Sequence, residues 1–386
     1  MTQTTGRSTI PVMVPWLGEE EAQAAAAAVM SGWVAQGPRV QEFERAFAER
    51  VGAAHGVAVT SCTTALHLAL VVAGIGAGDE VVVPSFSFVA TTNAPRYVGA
   101  TPVFADVDPL TGNVTAETVA AVLSGRTKAV IVVHQGGVPA DVEPLRALAV
   151  ERGLLVIEDA ACAAGSEYRG KPVGWGALMT AWSFHPRKLL TTGEGGMLTT
   201  DDPDLAARLR RLREHGMSVS AADRHAAADR VIVEQYLEVG FNYRMTDVQA
   251  AIGLVQLGRL DEIVARRRAL AERYQSLLGL VPGLRCVTDP SYGTSNFQSF
   301  WVELDAGFPV TRDELLAQLA AAGISARRGI MAAHLEPAHA DLAPASLPVT
   351  ERLTKQSLIL PLFHGLTEED QDRVVEVLAR AAKGPG

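Results

Sequence analysis

The chain has 386 residues, 48% of them hydrophobic, and its 34 basic and 43 acidic residues give a formal net charge of −9. This length and composition predict a large buried core and two domains, and the acidic balance, without basic runs interleaved with aromatic residues, argues against a nucleic-acid partner. Three scattered cysteines indicate neither a disulfide framework nor a metal cluster, and no apolar run has membrane-spanning length, so we expect a cytoplasmic protein without a membrane or metal partner.

The first part of the chain predicts a helix, followed by a strand, a turn and a second helix. Residues 18–32 are rich in Ala and Glu, with acidic residues at the start and a glycine at the end, which is typical of a helix. Residues 57–59 predict a strand, the hydroxyl-rich residues 60–63 a turn, and residues 64–72 a helix. A helix N-terminus after such a turn can bind a phosphate, but Ser and Thr there are also ordinary helix caps.

Further apolar runs predict a parallel sheet with helices on both faces. The predicted strands are residues 80–83, 102–105, 129–133, 154–157 and 180–183. In α/β sheets of this kind the ligand site lies beyond the carboxyl ends of the strands. The residues that occupy such positions are 60–64, 84–88, His134, Asp159 and Ser183.

Asp159 follows the apolar run 154–157, which leaves little room for solvent around its carboxylate. A charged group there requires a partner, either a structural arginine or the protonated ring nitrogen of a ligand. Phe86 and Phe88 stand at alternate positions after the strand 80–83. One of them can face a ligand ring while the other packs in the core, or both can belong to the core.

Lys188 lies between apolar runs in the stretch 181–197, which also contains the pair Gly195-Gly196. Apolar neighbours desolvate an ammonium group and lower its pKa, which an amine requires to attack a carbonyl near neutral pH. Lys188 is therefore a candidate for Schiff-base formation. The same stretch is also compatible with a solvated lysine on a hairpin.

The last third of the chain predicts a smaller α+β unit. Its predicted elements are a helix over 260–278, a strand over 299–304, a capping box at 311–314 before a helix over 315–322, and a final helix over 367–382. We therefore expect a large domain over residues 1–260, which includes an N-terminal arm and helix, and a small C-terminal domain over residues 261–386.

Several long motifs occur together in this chain. They are Gly78-Asp-Glu-Val-Val-Val-Pro84, Glu158-Asp-Ala-Ala161, Ser183-Phe-His-Pro-Arg-Lys188, Thr191-Thr-Gly-Glu-Gly-Gly196 and Gly240-Phe-Asn-Tyr-Arg-Met245. With them the chain resembles, from end to end, the sugar aminotransferases of the DegT/DnrJ/EryC1/StrS family, which are fold-type I enzymes dependent on pyridoxal phosphate. The resemblance implies an α/β fold with a large, mostly parallel mixed sheet covered by helices, and a smaller C-terminal α+β domain.

The resemblance also implies catalytic roles for Lys188 and Asp159. Lys188 would form the Schiff base with pyridoxal 5′-phosphate, and pyridoxamine phosphate would be the intermediate form of the cofactor. Asp159 would pair with the pyridine nitrogen. An anion at that position keeps the nitrogen protonated and the ring an electron sink.

Other positions match cofactor contacts of the family. Thr63, Thr64 and Ser183 match phosphate-binding positions, and Phe88 matches the aromatic residue that stacks on the cofactor ring. Asn242 matches a residue that reaches the cofactor phosphate of the neighbouring subunit. The resemblance therefore implies a homodimer with shared active sites.

Several positions keep an open role. Cys162 stands where the family commonly has a Gln or His that contacts the phenolic oxygen of the cofactor; a thiol bonds weakly, so Cys162 is a candidate cofactor contact with inert packing as the alternative. Residues 136–139, Gly-Gly-Val-Pro, depart from the family's Tyr-Gly-Gln-Pro. His134, His185 and residues 331–334 are candidates for lining the pocket, and we assign them no catalytic role.

The resemblance implies transfer of an amino group from L-glutamate or L-glutamine to a keto group of a nucleotide-linked keto-deoxysugar. Family members that dehydrate sugars carry histidine in place of Lys188, so the lysine favours amino transfer over dehydration. The alternatives are an aminotransferase for a keto-cyclitol and a non-catalytic relative, although the latter predicts loss of Lys188 or Asp159. A sugar nucleotide predicts basic residues such as Arg244, Arg327 or Arg328 in the cleft to neutralise a diphosphate, whereas surface ion pairs are the ordinary role of arginine.

Overall fold

The computed structural model describes residues 9–219, 233–342 and 346–384. Its α-helices, numbered in chain order, are α1 Glu19–Met30, α2 Pro38–Val51, α3 Cys62–Val72, α4 Val89–Tyr97, α5 Ala116–Ala120, α6 Val142–Arg152, α7 Pro203–Leu212, α8 Asp247–Gly258, α9 Leu260–Leu278, α10 Arg312–Ala321, α11 Pro348–Gln356 and α12 Glu368–Ala381. Three short 3₁₀ turns are Gln135–Gly137, Ala333–Leu335 and Pro337–His339.

The strands form a large sheet and two smaller ones. They are β1 His55–Val59, β2 Glu80–Pro84, β3 Thr101–Ala105, β4 Thr127–Val133, β5 Leu155–Asp159, β6 Glu167–Tyr168, β7 Lys171–Pro172, β8 Met179–Ser183, β9 Gly196–Thr200, β10 Leu284–Cys286, β11 Gly293–Thr294, β12 Phe300–Leu304, β13 Arg327–Arg328 and β14 Ser357–Leu360. The sheet orders are β1-β9-β8-β5-β4-β2-β3, β10-β12-β14-β13 and β11-β6-β7.

The seven-stranded sheet is mostly parallel, as predicted, and its five predicted strands beyond β1 each overlap an observed strand. Strand β9 was not predicted, and it runs antiparallel to both β1 and β8. The chain therefore reverses between β8 and β9 and returns to the sheet within a short loop. This loop carries Lys188, so a hairpin connection and a functional lysine are compatible in this fold.

Local hydrogen bonds explain several helix boundaries. Thr311 caps α10 and Glu314 bonds back to its backbone N–H, so the predicted capping box is confirmed. Helix α3 begins at Cys62, two residues before the prediction, because the side chain of Ser61 is its N-cap. Helix α2 ends at Gly52, whose φ of 71° is a left-handed conformation that glycine adopts at little cost.

The four-stranded antiparallel sheet packs against α9, α10 and α12. Tyr274 of α9, Leu319 of α10 and Leu378 of α12 share one buried core with Trp301 of β12. The same core continues to Val130 of the large sheet.

The predicted boundary between the large and the small domain, at residues 260 and 261, remains a prediction. The segment around Ile10 pairs with Ile324, so the beginning of the chain packs on the C-terminal part of the fold. Over the described ranges, none of the helices has the length and apolarity needed to cross a membrane.

Candidate active site

The carboxyl ends of β1, β5 and β8 meet at one edge of the large sheet. Asp159 is the register partner of Ala181, and Ser183 and Val59 both pair with Gly196 on β9. The structure therefore brings Asp159, Ser183 and the turn before α3 to the same edge. The sequence predicted this convergence from the rule for α/β sheets.

The turn before α3 forms a cradle of the kind that binds an anion. The first-turn N–H groups of a helix lack helical partners and point outward from its end. A side chain at Gly196 would collide with the backbone of Ser61, so only a glycine allows β9 to pass this close to the turn. Thr63 is half-buried, and its side chain makes no hydrogen bond to another described residue, whereas the Thr64 hydroxyl donates to the Ser61 carbonyl at 2.8 Å.

Asp159 is only 5% exposed, and it has no ion pair with a cation anywhere in the described ranges. The backbone N–H of Ala161 donates to Oδ1 at 3.1 Å, and the Thr91 hydroxyl donates to Oδ2 at 3.1 Å. Burial raises the pKa of this carboxyl above its ordinary value, although the Ala161 donor, the nearby charge of Lys188 and the Thr91 donor each lower it. Of the two partners that the sequence left open, a structural arginine is therefore not present among the described residues.

Lys188 is half-buried in the loop between β8 and β9, and its Nζ lies 3.1 Å from the Sγ of Cys162. The prediction that its pKa is lowered is wrong. Burial does lower the pKa of Lys188, but the acidic neighbours Cys162, Asp159 and Cys62 together raise it above its ordinary value. Desolvation alone therefore does not set the pKa of this amine. The sequence did not reveal which acidic side chains surround Lys188, so the direction of the shift could not be predicted from it.

A cavity of about 460 Å³ opens beside Lys188. Its lining includes Val12, Met13, Phe88, Gln135, Gly136, Cys162, Arg187, Lys188, Gln298, Ser299, Arg327, Arg328, Met331, Leu360 and Leu362. Phe88 is 63% exposed at its mouth, whereas Phe86 is fully buried in the core. One aromatic residue of the pair thus faces the cavity and the other packs, which was one of the two predicted possibilities.

Arginines give this cavity its charge. Arg327 and Arg328 line it, as predicted, and Arg187 joins them, although the sequence did not single it out. Arg328 pairs with Glu336 at 3.2 Å, but within the described ranges neither Arg187 nor Arg327 forms an ion pair. Burial and then the nearby charge of Arg187 lower the pKa of Arg327, so two like charges lie close together. Arg244 does not line the cavity; its backbone pairs with Val59.

The histidines of the predicted pocket have other places. His134 is fully buried, and its Nδ1 accepts from the backbone N–H of Ala140 while its Nε2 contacts Glu158 at 3.2 Å. His185 caps its own turn by accepting from the backbone N–H of Arg187, and His334 is buried against Ser85. From the stretch 331–334, Met331 lines the cavity.

Asn242 is exposed, and its backbone pairs with Glu214. It does not line the cavity beside Lys188. Within a single chain, Asn242 therefore lies outside the site to which its predicted cofactor contact belongs.

Thr91 and Gln298 are site residues that the sequence analysis missed. Thr91 lies on α4 and reaches Asp159 across 68 positions of sequence. Gln298 donates from its side chain to the carbonyl of Arg187 at 2.8 Å. The role of each residue depends on how separate elements pack, and no local pattern marks Gln298. For Thr91, a position one helical turn after Phe88 was the available signal.

These residues fit the cofactor that the resemblance implies. An almost fully buried carboxylate that forms no ion pair with a described residue suits a protonated ring nitrogen, and a glycine-lined helix N-terminus suits a phosphate. Lys188 and Phe88 line the open cavity. The chemistry and the positions of the donors are consistent with pyridoxal phosphate.

The fold and this site define a pyridoxal-phosphate-dependent aminotransferase. The model of the DegT/DnrJ/EryC1/StrS aminotransferase family matches residues 15–379, and the chain belongs to this family.

Individual proteins agree with this assignment. The chain is 42% identical to the GDP-perosamine synthase of Caulobacter vibrioides over 373 residues, which cover 96% of this chain and 97% of that protein. The aminotransferase TlmJ from Streptoalloteichus hindustanus has a crystal structure that matches with a TM-score of 0.89 at 40% identity, covering 96% of this chain and 98% of TlmJ. The PLP form of Spr1654 from Streptococcus pneumoniae matches with a TM-score of 0.90 at 26% identity, covering 97% and 99%. The family and the fold class predicted from the sequence are confirmed.

Proposed function

We propose that this aminotransferase moves an amino group from L-glutamate or L-glutamine to the keto group of a nucleotide-linked keto-deoxysugar. The pair Arg187 and Arg327 carries the proposal, since two cations without carboxylate partners in the described ranges line the cavity that holds Lys188. A diphosphate would neutralise both charges, and guanidinium groups bind phosphate oxygens in a bidentate manner. An identity of 42% to a protein named GDP-perosamine synthase supports the same substrate class.

The residues of the site would have different roles in the reaction. Bound pyridoxal phosphate supplies an electron sink, which stabilises negative charge on the carbon that loses a proton. Asp159 would hold the ring nitrogen in its protonated form, and Thr91 would hold Asp159 in place. The N-terminus of α3, with Thr63, Thr64 and Ser183 around it, would bind the phosphate, and Phe88 would cover one face of the ring.

Lys188 would act twice. Its amine would first bind the aldehyde carbon of the cofactor with loss of water, and the amine of the donor would then displace it. The freed amine of Lys188 would take the proton from the donor's α-carbon and deliver it to that same carbon of the cofactor, C4′. Among the described residues, Cys162 forms a hydrogen bond with this amine, and its Sγ lies 3.1 Å from Nζ. The reverse sequence on a keto sugar would complete the transfer.

We also infer a homodimer with shared sites and a cytoplasmic location. Asn242 is exposed outside its own cavity, and a second copy would bring it to the phosphate of the neighbouring site. Exposed apolar side chains nearby, Val233, Tyr236, Leu237 and Val239, are candidates for burial in such an interface. Cys62, Cys162 and Cys286 are all free thiols, which suits a reducing compartment.

The proposal is tested by following the visible absorption of the purified chain with pyridoxal phosphate. L-glutamate is expected to bleach the band, and a nucleotide-linked 3- or 4-keto-6-deoxyhexose is expected to restore it. Recovery with a keto-cyclitol and not with the sugar nucleotide would replace the proposed acceptor. No band at all would contradict the cofactor, and a band insensitive to glutamate and glutamine would contradict the donor.

Charge variants sharpen the test of the acceptor. Arg187→Gln and Arg327→Gln are expected to raise KM for the sugar nucleotide on the order of 10-fold each, because each removes a charge-assisted hydrogen bond. Arg39→Gln is the matched control, since Arg39 forms an exposed ion pair with Glu42 at 2.7 Å and does not line the cavity. Equal KM values in all three variants would remove the support for a diphosphate.

A further inference from the structure

Arg267 is a buried cation that holds the wall of the cavity. It is only 2% exposed, and it has no ion pair with any carboxylate in the described ranges. Its guanidinium instead donates to the carbonyls of Phe297 at 2.9 Å, Gln298 at 2.7 Å and Leu362 at 2.8 Å, and contacts the sulfur of Met13 at 3.7 Å. Met13, Gln298 and Leu362 all line the cavity. One side chain thus connects three separate segments of its wall.

One of these segments adopts a backbone conformation that needs such support. Phe297 has a φ of 48°, a left-handed conformation that an aromatic residue rarely adopts. The N–H of Leu362 also donates to the carbonyl of Val12, so the first and last of the three segments touch each other. The rigid fork of an arginine matches carbonyl groups that converge from several directions. Burial lowers the pKa of Arg267 to about 9, which leaves it charged at neutral pH.

Arg187 and Arg327, the two cavity arginines without an ion pair among the described residues, are both attached to segments that Arg267 holds. Gln298 donates from its side chain to the carbonyl of Arg187, and this contact joins the segment that Arg267 holds to the backbone of Arg187. Arg327 is the register partner of Ile359 on β14, the strand that leads into Leu362. A displacement of the Arg267 contacts would therefore move both cations relative to each other and to the amine.

We propose that Arg267 is a positioning residue, which sets the spacing of Arg187 and Arg327 for the diphosphate of the acceptor without touching that substrate. This inference rests on the proposed function. It predicts that a change at Arg267 impairs recognition of the nucleotide acceptor and leaves the reaction with the small donor nearly unchanged, because the donor reacts at Lys188 and has no diphosphate to place.

The test compares Arg267→Lys and Arg267→Gln with Arg266→Gln in the chain supplied with cofactor. Arg266 is the matched control, because it is next along α9 and donates to the carbonyls of His364 and Leu366, which do not line the cavity. We expect Arg267→Gln to weaken the binding of GDP or UDP and to raise the acceptor KM on the order of 10- to 100-fold. The rate of bleaching by L-glutamate is expected to stay within about twofold, and Arg267→Lys to recover part of the loss.

Amide hydrogen exchange supplies a readout that needs no acceptor. The Arg267 variants are expected to exchange faster at residues 12–13, 297–299 and 360–362, and Arg266→Gln is not. Equal slowing of both half-reactions with unchanged exchange in these segments would overturn the inference, and so would wild-type nucleotide affinity in Arg267→Gln. If the wild-type chain binds neither GDP nor UDP and aminates no sugar nucleotide, the proposed function fails, and the exchange data alone then decide whether Arg267 holds the wall. If Arg267→Gln does not fold, Arg267→Lys and Gln298→Leu, which removes the contact to Arg187, carry the same comparison.

Discussion

The amine of Lys188 lies 3.1 Å from the thiol of Cys162. The resemblance to the family implied a Gln or His at the position of Cys162, whereas in this chain the reactive amine contacts a thiol. Cys162 is the first of the neighbours that raise the pKa of Lys188 against the effect of burial. The contact therefore gives Cys162 a chemical effect on Lys188 in addition to packing.

We predict that Cys162→Gln and Cys162→Ser lower the pKa of Lys188. Each substitution removes an acidic neighbour, so burial, which favours the neutral amine, weighs more. A larger neutral fraction should capture pyridoxal phosphate faster near neutral pH. The measurement is the rate at which the visible band appears as a function of pH, and its midpoint is expected to move to lower pH. A midpoint that stays in place or rises would assign Cys162 to packing alone.

Lys188→Ala is predicted to abolish transamination while the protein remains folded. Loss of a positioned acid–base group costs roughly 10²- to 10⁴-fold, and loss of the covalent link to the cofactor adds to this cost. Lys128→Ala is the matched control, because Lys128 is exposed on β4. The turnover number and the visible band are measured in both variants. Residual turnover in Lys188→Ala close to that of Lys128→Ala would remove Lys188 from the catalytic assignment.

Asp159→Asn is predicted to slow proton removal from the donor roughly 10²- to 10³-fold, as expected when a buried charge that stabilises the reacting state is lost. Thr91→Val should cause a loss of about 10-fold, since removing a hydrogen bond that contributes about 1.5 kcal/mol, the lower end of the range for a charged acceptor, slows the step by about this factor. Both losses should be visible as slower bleaching by L-glutamate in a stopped-flow experiment.

Thr92→Val is the control for Thr91→Val. The two threonines are neighbours on α4, and both are buried, but the Thr92 hydroxyl has no hydrogen-bond partner among the described residues. Replacing it with an isosteric methyl group should therefore leave the bleaching rate unchanged. Equal rates for Thr91→Val and Thr92→Val would show that Thr91 does not support Asp159.

Glu158→Gln is predicted to reduce stability in a way that depends on pH. Burial raises the pKa of Glu158, but the hydrogen bond from His134 and the charge of Arg146, at 2.6 Å, outweigh it and hold the pKa below the ordinary 4.5. Because the unfolded chain then binds the proton more readily, the carboxylate stabilises the fold above pH 4.5 and this contribution is lost as the pH falls through the folded pKa.

Urea denaturation near neutral pH and at acidic pH measures this dependence. The free energy of unfolding should fall by about 1 to 3 kcal/mol in Glu158→Gln near neutral pH, and the difference from wild type should shrink below pH 4.5. A difference that stays constant over this range would mean that the charge of Glu158 does not contribute.

Most of the fold could be predicted from the sequence, because helices and strands depend on neighbours in the chain. The strand 102–105, the helix α9 and the capping box of α10 follow from apolar periodicity and from hydrogen bonds over three or four residues. The antiparallel strand β9 was missed, since its pairing with β1 joins residues that are far apart in sequence.

By itself the sequence determined the family and the class of fold, because long motifs around Lys188 and Asp159 carry that information locally. The roles of Lys188 and Asp159 remain predictions. The tertiary structure alone decided which groups surround them. Thr91 donates a hydrogen bond to Asp159, Lys188 contacts the thiol of Cys162, and Arg187 and Arg327 line one cavity. The direction of the pKa shift of Lys188 also followed only from the structure, since electrostatic interactions depend on distances in space and on burial, and separation along the chain predicts neither.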